Sequence, residues 1–236
     1  MSTEQKIIKA LKEQGSAEKI KIFLRFFKTG KGEYGEGDRF IGVTVPAQRK
    51  IAREFYKESS LEIISSLLKS PFHEHRLTSL FILNLKFQEE LKKGGGEDYV
   101  KLYLSHTRFV NNWDLVDSTA YIILGKWLED KKRDMLYKLA GSNSLWENRI
   151  AMVATLHFIR QSDLKDLFRL SKIFLTHSHD LMHKATGWML REGWKRDAVA
   201  VESFLDQYAT KMPRTMLRYA IEKMSPSKRA NYLLMK

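Results

Sequence analysis

Residues Asn111–Gly125 read Asn-Asn-Trp-Asp-Leu-Val-Asp-Ser-Thr-Ala-Tyr-Ile-Ile-Leu-Gly and predict the start of an apolar helix. The first turns of this helix carry an indole and two carboxylates, those of Trp113, Asp114 and Asp117. Acids are favourable there because the first backbone N–H groups of a helix lack partners, so Asp114 is expected as a cap and Trp113 as a packed ring. Trp113 and Asp117 also share one helical face, since they stand one turn apart, and this allows a functional pair. The stretch alone leaves both interpretations open.

Similar segments recur along the chain, each with a charged residue two positions after its start and small or apolar residues beyond. The charged residues are Arg76, Asp117, Arg149, Lys184 and Arg218. Their separations of 41, 32, 35 and 34 residues are typical of one helix pair in a helical-repeat solenoid. We therefore predict an all-α superhelical solenoid that forms a single domain over residues 1–236. The alternative is a chance likeness among amphipathic helices.

The charge of the chain indicates a polyanionic partner. Lys and Arg number 41 against 28 Asp and Glu, which gives a net charge of +13 and points to nucleic acid or an anionic membrane surface. In a solenoid the repeated cations would line one concave surface and follow a phosphate backbone without reading base sequence. The C-terminal region adds further cations, namely Lys211, Arg214, Arg218, Lys223, Lys228, Arg229 and Lys236. Asp117 is the one acid in the repeated series, which suggests that it meets positive charge.

Several classes of protein are excluded by composition. Cysteine is absent, so no disulfide framework or thiolate chemistry is expected. No apolar run approaches the ~20 residues of a membrane span, and we expect a polar first helix in place of a signal peptide. His177, His179 and His183 have a spacing that a metal ion can use, but a zinc site needs a further ligand, and we predict no metal. The expectation is a monomeric cytoplasmic protein.

A glycine-rich stretch near residues 29–45 is predicted to form a β-hairpin or an ordered loop between two helices. Gly30–Gly35 formally matches G-x-G-x-x-G, but no strand precedes it and nearby acids would repel a pyrophosphate. Phe40–Val45 is the most strand-like run of the chain. The stretch is long for a connection between helices, so it is either a plain connector or a projecting element that touches a partner.

Five segments of the chain resemble those of the AlkD-like DNA alkylation repair family. The resemblance is carried by Trp113–Asp117, Leu145–Arg149 and Ala185–Glu192, and by Arg25–Lys28 and Gly42–Arg49 nearer the N-terminus. It implies an all-α superhelix of HEAT-like repeats with a basic concave face for duplex DNA. Enzymes of that family are DNA glycosylases that excise cationic N3- and N7-alkylated purines, without a metal or an organic cofactor. A bacterial-type, nucleoid-associated location would follow.

The resemblance also implies roles for particular residues. Asp117 and Trp113 would be catalytic, Trp188 would join them at the lesion nucleotide, and Arg149 would contact the DNA backbone beside it. The repeat pattern adds Lys184, Arg76 and Arg218 as DNA-binding candidates, and the C-terminal cations add Arg214. A carboxylate suits this chemistry because an alkylated purine is already a good leaving group and needs no general acid. What remains is to stabilise an oxocarbenium-like sugar.

The insertion at Thr29–Phe40 departs from the AlkD pattern. It resembles the AlkF-type branch of the same superfamily, whose members carry a β-hairpin, prefer branched DNA and show little glycosylase activity. Two hypotheses therefore stand side by side: an alkylpurine DNA glycosylase, and a weakly active or non-catalytic binder of branched or damaged DNA. A protein-binding solenoid is a third.

Overall fold

The computed structural model describes residues 1–235, and the regular secondary structure in this range is entirely helical. The all-α prediction is thereby confirmed. The chain divides into two compact units, with the boundary between Thr119 and Ala120. The single repeat domain over residues 1–236 stays a prediction. Lys236, one of the predicted cations, lies outside the described residues.

The first unit is built from amphipathic helices with strong start signals. In α1 the Ser2 hydroxyl accepts from the Gln5 N–H, and the Gln5 side chain accepts from the Ser2 N–H, a reciprocal capping box. Ile7 and Leu11 of α1 are fully buried, as their helical spacing predicts. The helices of this unit are α1 (Thr3–Glu13), α2 (Ala17–Phe26), α3 (Val45–Phe55), α4 (Leu61–Leu68), α5 (His73–Leu91), α6 (Glu97–Ser105), a 3-10 turn (Thr107–Phe109) and α7 (Trp113–Asp117).

Of the two predicted forms of the stretch near residues 29–45, a β-hairpin or an ordered loop, the structure has the loop, and residues 40–44 of the strand-like run lead into α3. The backbone N–H groups of Ile41, Gly42 and Val43 all donate to the buried carboxylate of Glu74, at 3.0, 2.7 and 3.2 Å. Because one side chain takes consecutive donors, none is left for a partner strand. Gly42 has a φ of +87°, and a Cβ there would lie 2.1 Å from the Ser16 carbonyl oxygen, so only glycine fits.

The glycine-rich part of this connection forms turns closed by its own acids. The Glu33 carboxylate accepts from the Gly30 N–H at 2.8 Å, and the Glu36 carboxylate accepts from the Gly32 N–H at 2.7 Å. Its end is held by an isolated parallel bridge, in which the Arg39 N–H donates to the Pro71 carbonyl and the His73 N–H donates to the Arg39 carbonyl. This bridge fixes the end of the loop at the start of α5.

The second unit, from Ala120 onward, is also helical. Its elements are a π-helical turn (Tyr121–Gly125), α8 (Asp134–Ala140), α9 (Leu145–Ala154), α10 (Leu156–Ile159), α11 (Lys165–Ile173), 3-10 turns (Phe174–Thr176 and Ala209–Lys211), α12 (Asp180–Trp194), α13 (Ala198–Tyr208), α14 (Arg214–Ala220) and α15 (Pro226–Leu234). Helices α12 and α14 approach closely at Gly187, where a Cβ would lie 2.4 Å from the Met216 carbonyl oxygen. No helix in the described chain combines the length and the hydropathy that a membrane span needs.

The second unit contains a partly buried ion cluster centred on Arg133. Arg133 donates to Asp163 and to Asp166, at 2.7 Å each, and its guanidinium lies over the ring of Phe158. The Tyr137 hydroxyl also donates to Asp166. We call Arg133, Tyr137, Asp163 and Asp166 the Arg133 cluster.

Candidate functional site in the first unit

Helix α7 presents Trp113 and Asp117 together, as their spacing predicts. The Asn112 side chain caps the helix by accepting from the Trp113 N–H at 2.8 Å. Leu115 and Val116 are fully buried and fix which side of this short helix faces the interior. Trp113 and Asp117 stand at the two ends of α7, and both are half-buried. The indole and the carboxylate are therefore both reachable from solvent.

The Trp113 indole belongs to an aromatic group at the end of α2. Its ring stacks on Phe27, with centroids 5.6 Å apart, and meets the edge of Phe26 at 5.7 Å. Phe27 is buried, whereas Phe26 is 58% exposed. An exposed phenyl ring costs hydrophobic free energy, so its place beside a half-buried indole favours a surface used for contact. We call Phe26, Phe27 and Trp113 the aromatic shelf.

Directly behind the shelf lies a buried ion network. His73, at the start of α5, holds its Nδ1 3.0 Å from Asp38 Oδ2 and its Nε2 2.8 Å from Asp114 Oδ2. Arg76 donates to Asp38 Oδ1 at 2.6 Å. We call Asp38, His73, Arg76 and Asp114 the His73 cluster. Asp114 was expected as a helix cap, but the cap is Asn112, and the Asp114 carboxylate instead accepts from the Leu115 N–H and contacts His73.

The ionisation of the cluster follows from its pairing. Burial alone would lower the pKa of His73, but the charge and hydrogen bond of Asp114, together with Asp38, raise it to about 9. Burial would likewise raise the pKa of Asp38, and the hydrogen bond from His73 and the charge of Arg76 hold it below its ordinary value. At neutral pH the cluster therefore contains an imidazolium, a guanidinium and carboxylates, and the charges balance.

Asp117 lies beside a second polar contact. The Tyr103 hydroxyl, fully buried, is 3.0 Å from the Thr119 hydroxyl. Burial raises the pKa of Tyr103 above its ordinary range, and the negative charge of Asp117 acts in the same direction. Tyr103 therefore stays neutral at physiological pH, and Asp117 supplies the negative charge beside it.

Arg76, one of the predicted DNA-binding residues, belongs to the buried His73 cluster, and its role at DNA stays a prediction. Arg76 is only 3% exposed, and its guanidinium bonds to Asp38 and to the Ser70 carbonyl oxygen. The repeat pattern located a charged position in the first turn of α5, and the structure pairs it with Asp38. The physical reason is the buried Asp38, which requires a cation in the interior.

The other candidates lie in the second unit. Arg149 of α9 is 5% exposed and donates to the Leu181 carbonyl oxygen at 2.5 Å. Lys184 and Trp188, both half-buried, stand one turn apart on α12, and Lys184 pairs with Asp180 at 2.6 Å. Their roles at DNA stay predictions.

Two further candidates and a set of histidines complete this unit. Arg214 and Arg218 are exposed in α14, and Arg214 donates to the Leu233 carbonyl oxygen. His177, His179 and His183 each use a ring nitrogen in a contact with a protein group. Within residues 1–235, no group of His, Cys, Asp and Glu is arranged to hold a metal ion.

Sequence reasoning missed several residues that surround Trp113. Phe26 and Phe27 were noted only as part of Arg25–Lys28, although two adjacent phenylalanines in a basic helix were a usable signal. His73 and Asp38 carried no signal of their own. Their partners stand 35 and 41 residues away along the chain, and only the fold brings them together.

The fold is all-helical and α7 carries an indole and a carboxylate one turn apart, and comparison with known proteins gives the family. The family model described as "DNA alkylation repair enzyme" matches residues 7–224, so the chain belongs to that family. A solved structure described as a predicted DNA alkylation repair enzyme from Enterococcus faecalis is similar with a TM-score of 0.70 and 16% identity, covering 90% of this chain and 98% of that one. At this identity the likeness concerns the fold. No curated protein matched significantly.

Proposed function

We propose that the protein binds alkylated DNA and acts as a DNA glycosylase on purines that carry a positive charge after alkylation at N3 or N7. The observation that carries this proposal is the half-buried Trp113–Asp117 pair on α7, backed by the aromatic shelf, in a member of the DNA alkylation repair family. The excess of 41 basic over 28 acidic residues supports a DNA partner.

The proposed chemistry needs little acid–base assistance. The bond between the sugar C1′ and the purine nitrogen breaks, its electron pair leaves with the base, and the base becomes neutral. Positive charge develops on the sugar, which the Asp117 carboxylate stabilises electrostatically. The face of the Trp113 indole stabilises the same cation through its π system, by about 0.5–2 kcal/mol. Water then adds at C1′ and releases a proton, which leaves an abasic site.

Substitution of Asp117 tests this proposal. Asp117→Asn keeps the shape of the side chain but removes the charge, so release of N3-methyladenine from methylated duplex DNA should fall by about 100-fold or more. The dissociation constant for DNA should change by less than about threefold, because phosphate contacts dominate affinity.

Asp98→Asn is the matched control. Asp98 is an exposed acid in the first turn of α6, in the same unit, and its loss should leave the release rate unchanged. Equal release rates for wild type and Asp117→Asn would exclude the role given to Asp117.

The second candidate function is a weakly active or non-catalytic binder of branched or damaged DNA, and the glycine-rich loop favours it. Glu33 and Glu36 are occupied by N–H groups of the loop, while Lys28 and Lys31 are exposed. The loop thus has exposed cations, and each of its exposed acids Glu33 and Glu36 accepts a hydrogen bond from the loop's own backbone. A surface of this kind suits a second phosphate backbone.

A charge reversal in the loop separates the two functions. Lys31→Glu should weaken binding to a branched junction by about tenfold and to plain duplex by less than about twofold, as measured by titration at fixed salt. Lys92→Glu, an exposed lysine at the end of α5, serves as the control. An equal loss on both DNA forms would exclude a junction-specific role for the loop.

The remaining predictions belong to this proposal as well. The repeat spacing supports HEAT-like repeats in one domain with a basic concave face, to which Lys184, Arg214 and Arg218 would contribute. Trp188 would contact the lesion nucleotide, and Arg149 would orient the backbone beside it. We further propose that the protein is a monomer that acts at the bacterial nucleoid in the cytoplasm and uses no cofactor.

A further inference from the structure

Helix α7 is too short to hold its own orientation. It comprises Trp113–Asp117, little more than one turn, and helices of this length are unstable without tertiary contacts. The position of α7 therefore depends on its contacts with the surrounding chain. The buried Leu115 and Val116 attach one side by packing, but apolar packing does not by itself fix the rotation and tilt of a single turn.

His73 contacts this helix in two directions. Through Nε2 it bonds to Asp114, the residue that follows Trp113. Through its ring it packs against Phe27, with centroids 4.7 Å apart, and Phe27 in turn stacks on the Trp113 indole. One buried side chain thus contacts both the residue that follows Trp113 and the ring on which the indole stacks.

The same histidine attaches the glycine-rich loop. Its Nδ1 bonds to Asp38 at the end of the loop, and Phe40 lies against the imidazole with centroids 4.9 Å apart. The Asn112 side chain, from the cap of α7, donates to the same Asp38 carboxylate at 3.4 Å. Asp38 and Asp114 therefore hold the two ring nitrogens of one imidazole from two separate segments.

We propose that His73 is a positioning residue, which by donating to Asp38 and Asp114 at once sets the orientation of Trp113 and Asp117 and ties it to the position of the glycine-rich loop. A neutral imidazole has one N–H and satisfies only one of these acceptors, whereas the doubly protonated ring satisfies both. The effect of His73 on base release rests on the function proposed above. Its effect on the orientation of Trp113 does not depend on that function.

Fluorine NMR on protein labelled with 5-fluorotryptophan tests the positioning directly and needs no substrate. Trp113 is the one tryptophan before residue 120, and Trp127, Trp146, Trp188 and Trp194 serve as internal references. In His73→Gln the Trp113 resonance should shift and broaden while the others stay in place.

His75→Gln is the matched control. His75 is also buried in the first turn of α5, but its Nδ1 contacts the Ser70 hydroxyl at 2.8 Å and no carboxylate of the His73 cluster. The Trp113 resonance of this variant should match that of wild type.

Kinetics supply the second readout on the same proteins. In His73→Gln, single-turnover release of N3-methyladenine should fall by roughly 10- to 100-fold at a temperature where the protein is folded, with the dissociation constant for DNA within about threefold of wild type. An unchanged Trp113 resonance would overturn the positioning role. If wild type releases no base, the proposed glycosylase function fails, and the resonance still decides the role of His73.

A pH titration of wild type covers the case in which His73→Gln does not fold. The charged groups that face His73 are Asp38 from the loop, Asp114 from α7 and Arg76 from α5, and none of these residue types titrates near pH 9. The Trp113 resonance should therefore move with a midpoint near pH 9, while the four references do not follow it. A Trp113 resonance that stays constant across this range would overturn the proposal.

Discussion

The His73 cluster and the Arg133 cluster place similar charges in different surroundings. In both, one cation bonds to two aspartates and lies against aromatic rings. The His73 cluster is enclosed, since its histidine is 2% exposed, whereas the Arg133 cluster has Asp163 at its edge with a side chain 40% exposed. The imidazolium of the His73 cluster loses its charge within an accessible pH range, whereas the guanidinium of the Arg133 cluster does not.

This difference separates a structural ion pair from one suited to a site. A guanidinium holds two segments together at any physiological pH. An imidazolium does the same only while doubly protonated, and it stands directly behind the rings that carry Trp113. The predictions below test this contrast, in order of decreasing effect.

The largest effect is expected from His73→Leu. Removal of the imidazolium leaves the Asp38 and Asp114 carboxylates buried with only Arg76 to compensate, and an unpaired buried charge is costly. The free energy of unfolding at pH 7, from urea titration, should fall by about 3–5 kcal/mol. A loss below about 1 kcal/mol would mean that the cluster contributes no more than a surface pair.

The next effect is the pH dependence of stability. The pKa of His73 is about 9 in the folded protein, above the ordinary histidine value of 6.5. Its contribution is therefore fully present below pH 6.5 and is lost as pH rises through about 9. The difference in unfolding free energy between wild type and His73→Leu should shrink by on the order of 3 kcal/mol between pH 6 and pH 10. A constant difference would show that His73 is neutral in the folded protein.

The smallest effect is expected from Arg133→Met. Methionine fills the space over Phe158, and the partly exposed Asp163 can regain water, so the unfolding free energy should fall by only about 1–3 kcal/mol. The loss of unfolding free energy should show no step near pH 9, because neither arginine nor aspartate titrates there. A loss equal to that of His73→Leu would remove the contrast between the two clusters.

The sequence predicted what depends on neighbours along the chain. The helical periods, the burial of Ile7 and Leu11 and the placement of Trp113 and Asp117 one turn apart on α7 all follow from local spacing and are found in the structure. Asp114 was expected as a cap, but a capping residue and a partner for a distant histidine look alike in sequence.

The loop shows the same limit. The β-hairpin alternative for the stretch that contains Phe40–Val45 is not formed, because Glu74, more than 30 residues away, takes the N–H groups that a strand would have used. The partner of Arg76 could not be predicted for a similar reason, since Asp38 lies in the loop. Charge patterns indicate which residues are ionised, but only the fold decides whether they face solvent or one another.

Asp117 is proposed above to stabilise a cationic transition state on alkylated DNA. The most direct test is single-turnover release of N3-methyladenine from methylated duplex DNA by wild type and Asp117→Asn, with DNA affinity measured on the same preparations. We predict release by wild type and a loss of about 100-fold or more in the variant, with affinity within about threefold. Release by both proteins at the same rate, or by neither, would contradict the role proposed for Asp117.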